Sequence, residues 1–395
     1  MKIAFFSENF YPELSGISDF LITLSQGLSQ RGHVIRIYAP AYAQKDYEKV
    51  HADEEKDFGS NISVKRLFSL PISTGTGQGR MVIPLGTTMR DFRSFQPNVV
   101  HTQLFFGVGI EALWAAKKSH IPFVGTNHTV MSEFIPKLLK KNFTSMSLKY
   151  VSWYYNHCQV VTAPSRLLLK EMKEFGLNKP TKYVPNPIDT IQFHAPDEPT
   201  KLKLKKRFDF SSATMVYAGR LSREKNIDHV IQAFHFIKKT VPNALFVLAG
   251  HGPEEEHLKS LAKQLGVEQS VRFLGTVDKP TLAQVYSASE VFVSASASEN
   301  QPLTLLQAFA CGLPAVGVNA RGLGEHIDPS CGIRVEPGTI QGLSDATLRF
   351  FTQPQYAKEC GKNAHKWADQ YSISRVTEQW EALYESCIQK STPHL

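Results

Sequence analysis

Cysteine is scarce and unpaired in this 395-residue chain: positions 158, 311, 331, 360 and 387 are odd in number, scattered, and include no C-x-x-C. That argues against a disulfide framework and a zinc site, and predicts buried structural thiols. No run of about 18 uncharged apolar residues occurs, which excludes an ordinary membrane-spanning helix. The opening MKIAFFSENFYP sets one lysine before a short apolar run with no small-residue cleavage site after it. It reads as a first strand rather than a secretory leader, so the expected location is cytoplasmic. Short repeats and long low-complexity tracts are absent. The one glycine-rich stretch, STGTGQG at 73–79, lacks G-x-G-x-x-G spacing and reads as a flexible loop. No recognised nucleic-acid-binding module organises the basic residues, so nucleic acid is not an expected partner.

What is present is an ordinary globular composition, 42% hydrophobic and 20% charged, in a chain long enough for two domains at a prior of about 150 residues each. The net charge of +8 is uneven. Residues 1–190 hold 22 Lys+Arg against 15 Asp+Glu, and the remainder 22 against 21. A basic first half suits an anionic membrane surface and equally suits a plain solvated face.

KIAFF, a turn, the helical pattern ISDFLITLSQGLSQ and the apolar HVIRIYAP make a βαβ unit. Further strands are expected at 62–67, 98–101, 122–125 and 159–163. After PNPIDTIQF the sequence turns polar, and ATMVYAG restarts the alternation, with strands at 214–218, 244–249, 271–274, 290–294, 315–318 and about 333–335. The fold class is therefore α/β, two Rossmann-like doubly wound domains. We assign residues 1–195 to the first, 196–365 to the second, and 366–395 to a C-terminal helix. That helix carries an apolar stripe, Val376, Trp380, Leu383 and Cys387, that needs burial, with the N-terminal domain or the domain junction as its expected partner.

Two clusters carry candidate chemistry. Arg220 and Lys225 follow a strand and precede a helix, at the strand edge where α/β folds bind ligands. Cations are mildly unfavourable at a helix start, so their position favours function. The loop SASENQPL leads into the helix LTLLQAFACG, whose first N–H groups, at Leu303 and Thr304, suit a phosphate. Glu299 and Gln307 are eight residues apart, about 12 Å if wholly helical.

The runs AGRLSREKN, SASENQPLTLLQAFACGLPAV and RGLGEHI, with PELSGIS, GTNHT, APS and VPNPID in the first half, together resemble glycosyltransferase family four over nearly the whole chain. The resemblance implies a GT-B fold with the two domains facing across a cleft, a nucleotide-sugar donor, and retention of anomeric configuration. It implies that Arg220 and Lys225 address the diphosphate, Glu299 the donor sugar or reacting face, and His128 the sugar and acceptor. Gly16 stands where a loop glycine lets backbone N–H groups approach the phosphate. Gln307 replaces the acid usual at the ribose, and Asn300, Gln301 and Pro302 replace the usual glycines, so donor contacts there differ.

With no D-x-D pair, no essential metal and no cofactor are expected. UDP is the nucleotide favoured by resemblance. Segment 134–155, FIPKLLKKNFTSMSLKYVSWYY, sets Lys137, Lys140, Lys141 and Lys149 among aromatics and, with GTNHT, is similar to diacylglycerol glycosyltransferases. It reads either as a peripheral membrane contact on the cytoplasmic face or as a core helix with solvated lysines. A soluble acceptor, and a nucleotide-sugar-binding protein without catalysis, remain the competing readings.

Overall fold

The computed structural model describes residues 1–13, 15–48, 55–72, 79–129 and 141–391, with 141–146 as backbone only. Residues 73–78 of the glycine-rich stretch, with Lys137 and Lys140, fall outside it. The chain forms two compact units, Met1–Pro187 with Ile373–Leu395, and Ile188–Ser372. The chain switches units at Ile188, whose N–H donates to the Tyr371 carbonyl at 2.8 Å and whose side chain joins the core of the second unit.

In the first unit, strands β1 (Lys2–Phe6), β2 (Val34–Pro40) and β3 (Ile62–Leu67) are followed by a short hairpin, β4 (Ser69–Pro71) and β5 (Arg80–Val82). Then come β6 (Val99–Thr102), β7 (Phe123–Thr126), β8 (Val160–Ala163) and β9 (Thr181–Tyr183). The main sheet is parallel in the order β3-β2-β1-β6-β7-β8-β9. The central strands are buried along nearly their whole length, as parallel sheets covered on both faces require. Phe5, Ile35 and Ile37 pack on one face with Phe20, Leu24 and Trp380; Phe6, Tyr38 and Val100 pack on the other with Phe92 and Val108.

The second unit holds β10 (Thr214–Ala218), β11 (Leu245–Ala249), β12 (Val271–Gly275), β13 (Val291–Ser294), β14 (Ala315–Val318) and β15 (Gly332–Val335). They form one parallel sheet in the order β12-β11-β10-β13-β14-β15. In both sheets the order reverses beside the first strand, at β1/β6 and at β10/β13. The chain leaves these strand pairs in opposite directions and opens a crevice at their carboxyl ends.

The helix Ile373–Ser391 belongs to the first unit. Its stripe Val376, Trp380, Leu383 and Cys387 is wholly buried there. Glu381 fastens its solvent edge, accepting from Arg31 at 2.6 Å and pairing with His33 at 2.8 Å. All five cysteines are free and buried, and among the described residues no helix is long and apolar enough to cross a membrane. The hairpin β4–β5 was not expected from the sequence. It sits so close to the helix Gly107–Ser119 that a Cβ on Gly107 would lie 1.7 Å from the Val82 carbonyl oxygen.

Glu8, just past β1, is buried, and one carboxylate oxygen accepts the Val108 N–H at 2.8 Å. Burial outweighs the backbone hydrogen bonds and pushes its carboxyl up to about 8. A carboxyl held neutral in the fold contributes stability that is lost as pH rises from its unfolded value through about 8. Glu8→Gln should therefore melt above the wild type near pH ~8.5, with the difference vanishing towards pH ~4.5, as read by Tm across that range.

Candidate functional site

The ends of β10 and β13 carry one cluster. Past β10 the chain passes Gly219 and Arg220, makes a single 3₁₀ turn, Arg223–Lys225, and enters the helix Ile227–Thr240. Asn226 at that junction donates from its side chain to the Ala295 carbonyl at 3.1 Å, which ties the loop after β10 to the end of β13. Lys225 Nζ then meets Glu299 Oε1 at 2.6 Å, with both side chains largely shielded. Arg220 Nη2 lies 2.7 Å from Glu224 Oε1, which also accepts the Ser222 hydroxyl at 2.7 Å. Burial alone would raise the Glu224 carboxyl, but the hydrogen bonds from Ser222 and Arg220 and the Arg220 charge bring it down to about 2. Each cation is thus held in place by its own carboxylate, with N–H donors left over for an anion.

Glu299 precedes the helix Leu303–Ala310, so its distance from Gln307 is not a helical one. Its carbonyl accepts the Gly322 N–H at 2.7 Å. A Cβ on Gly322 would come within 2.4 Å of the Asn300 carbonyl oxygen, so only glycine lets the start of the helix Arg321–His326 support this loop. Gln301 is buried, Asn300, Leu303 and Thr304 are half-buried, and Gln307 is buried one turn further along. The first helical hydrogen bonds are those of Leu305 and Leu306 to the Pro302 carbonyl, so the N–H groups of Leu303 and Thr304 precede them.

The other two candidates lie in the first unit. Gly16 starts the helix Gly16–Gln30, capped by Ser15 Oγ, which accepts the Ser18 N–H at 3.1 Å. An added Cβ at Gly16 meets nothing within 4 Å, so protein packing does not demand glycine there. His128 follows β7, its Nε2 2.8 Å from Gln103 Oε1 and its ring 4.8 Å from that of Phe20. Burial pushes the imidazole down to about 3, so it is neutral at physiological pH. Because an amide oxygen only accepts, Nε2 carries the proton.

Beneath it Thr126 is pinned on three sides. Its hydroxyl is 2.6 Å from His101 Nε2 and 2.7 Å from Thr162 Oγ1, and its carbonyl accepts the Tyr155 hydroxyl at 2.9 Å. His101 is held in turn by Tyr384, at 2.7 Å. Gln103 escaped the reading of the sequence, its place just past β6 being the available signal, whereas Glu224, Asn226 and Gly322 lie in the runs AGRLSREKN and RGLGEHI without having been singled out.

The basic aromatic segment divides. In the helix Lys141–Tyr155, Tyr154 and Tyr155 are core residues, whereas Lys149, Tyr150 and Trp153 are exposed, the two rings stacked at 5.6 Å. The Lys141 side chain lies outside the described residues.

Comparison with known proteins agrees with both halves. The family model "Glycosyltransferase Family 4" matches residues 14–192, and "Glycosyl transferases group 1" matches 200–367. The alpha-monoglucosyldiacylglycerol synthase of Streptococcus pneumoniae is 26% identical over 80% of this chain and 70% of its own. The enzyme of the same name from Acholeplasma laidlawii is 24% identical over 91% of this chain and 96% of its own. Among solved structures, the Anabaena HepE protein in complex with UDP superposes with a TM-score of 0.79 at 20% identity, covering 98% of this chain and all of that one. A Glycosyltransferase Family 4 module over its first half and a Glycosyl transferases group 1 module over its second, on the GT-B fold of its structural relatives, make this chain a glycosyltransferase.

Proposed function

We propose that this enzyme transfers a hexose from a UDP-sugar, with retention, to a hydroxyl of a membrane lipid of the diacylglycerol type, working peripherally at a membrane surface and without an essential metal. The observation that carries the donor half is the Lys225–Glu299 contact at the β10/β13 reversal, with Arg220 on the same loop. Two ordered cations and the first N–H groups of the helix Leu303–Ala310 supply what a departing diphosphate needs, fixed positive charge that costs no reorganisation. In this reading the bond from the anomeric carbon to the phosphate oxygen breaks as the acceptor oxygen bonds that carbon. The acceptor's proton passes to the leaving phosphate, and Glu299 orders Lys225 and faces the donor. Neutral His128 serves as a hydrogen-bonding partner for a substrate hydroxyl. Support for a lipid acceptor comes from the two relatives named as alpha-monoglucosyldiacylglycerol synthases and from the exposed Lys149, Tyr150 and Trp153, a combination suited to the polar boundary of a bilayer.

Nucleoside diphosphate release from UDP-, GDP- and ADP-sugars, with and without mixed micelles of diacylglycerol and anionic lipid, tests this. The expected result is release from a UDP-sugar stimulated by the micelles; turnover indifferent to lipid returns the acceptor to soluble molecules, and no turnover of any donor defeats the reading altogether. In the same assay Lys225→Ala and Glu299→Ala should each lose activity by about 10²-fold with unchanged circular dichroism. Gln103→Glu puts a carboxylate beside the His128 Nε2–H and stabilises the imidazolium, so its activity should fall on the acid side of the pH profile at a higher pH than wild type. An unmoved acid limb would remove Gln103 from the catalytic arrangement.

A further inference from the structure

Among the described residues, the hairpin β4–β5 carries apolar side chains that its own unit leaves exposed. Leu70 stands opposite Met81 in the antiparallel register, and both are exposed, while the adjacent pair Ser69 and Val82 is buried. Leu70 and Met81 thus share one face of the ribbon, and Phe68, Ile72, Ile83 and Leu85 flank the two strands in sequence. All six are apolar, Phe68, Leu70, Ile72, Met81, Ile83 and Leu85, and all six are exposed, Phe68 and Leu85 by about two-thirds (67% and 65%).

The backbone beneath them is held firmly. Ser69 donates to the Ala41 carbonyl at 2.6 Å, and Arg80 spans the ribbon to Ser69. Past β5, buried Glu111 accepts from the Gly86 N–H and the Thr88 hydroxyl, each at 2.6 Å. The exposed pair is therefore presented on a hydrogen-bonded frame, and exposed apolar residues gathered along one short ribbon mark an interaction surface.

Charge selects the occupant. Between residues 62 and 96 the sequence holds five cations, Lys65, Arg66, Arg80, Arg90 and Arg93, against the single acid Asp91, which Arg36 and Tyr38 engage. Lys65, Arg90 and Arg93 are exposed. Arg66 is paired with Glu55 and Arg80 with Ser69, which leaves the exposed Lys65, Arg90 and Arg93 as the net charge neighbouring the ribbon in sequence, and a bilayer of anionic lipid offers apolar depth and opposite charge at once. We propose that this ribbon face is a bilayer-docking surface that inserts Phe68, Leu70, Met81 and Leu85 at the boundary of an anionic membrane. It rests on the lipid reading above but concerns a different part of the molecule from Tyr150 and Trp153.

The test is co-sedimentation with phosphatidylcholine vesicles with and without phosphatidylglycerol, on wild type and on the double variant Leu70→Glu, Met81→Glu. These side chains face solvent, so the variant should fold, which unaltered donor hydrolysis in the absence of lipid would verify. The expected result is binding to the anionic vesicles that the variant weakens by at least about tenfold. Lys65→Gln, Arg90→Gln, Arg93→Gln should erase the preference for phosphatidylglycerol. Equal binding by wild type and the double variant overturns the docking surface and leaves the lipid reading standing. Failure of wild type to bind any vesicle overturns it too, and diacylglycerol-stimulated release then decides the acceptor separately. A wild-type dimer that the double variant abolishes reassigns the face to subunit contact.

Discussion

The chemistry of the second unit depends on one constraint: the sheet order reverses between β10 and β13, so the loops leaving those two strands have room between them and nothing else to fill it. A parallel sheet covered by helices on both faces offers polar groups only at its strand ends. Asn226 and Ala295 draw the two loops together, and the Lys225–Glu299 contact joins residues 74 positions apart in sequence. Gly322, in the helix Arg321–His326 that follows β14, supports Glu299 through its backbone N–H. In the proposed reaction the cations are thus held by their carboxylates before any ligand arrives, the condition under which fixed charge favours a reaction rather than merely binding a substrate.

The first unit applies the same geometry to neutral groups. At the ends of β6 and β7 stand Gln103 and His128, and beneath them a fully buried chain of hydroxyl and imidazole contacts runs from Tyr384 through His101 to Thr126 and Thr162. Burial keeps both histidines uncharged, which fixes them as hydrogen-bonding groups rather than proton carriers at physiological pH.

Much of this is legible because most strands are apolar runs bounded by turns: ATMVYAG, VFVSA and the other expected strands lie within a residue or so of their places, whereas the short edge strand β9, TKY, is polar and was not expected. Arg220, Lys225 and Glu299 could be picked out because they follow such strands. The pairing of Lys225 with Glu299 could not, since no local pattern records a contact made by sheet order. The three-residue strands of the hairpin were hidden for another reason. Pro71 interrupts one and a glycine-rich stretch separates them, so the alternation of Phe68, Leu70 and Ile72 with Met81, Ile83 and Leu85 is too short to stand out. Gln103, a single amide after a strand, carries no signal until His128 is seen beside it. The eight-residue spacing of Glu299 and Gln307 misled because the helix begins only at Leu303.

The return of the helix Ile373–Ser391 to the first unit has a consequence for how the protein is made. Trp380 and Tyr384 complete a core whose other members, Phe5, Phe20 and Ile35 among them, are synthesised some 350 residues earlier. The first half of the chain therefore leaves the ribosome with an open apolar groove beside the helix Gly16–Gln30. It keeps that groove while the whole second unit, which is continuous in sequence, folds ahead of it. A segment made after the whole second unit thus closes the unit made before it.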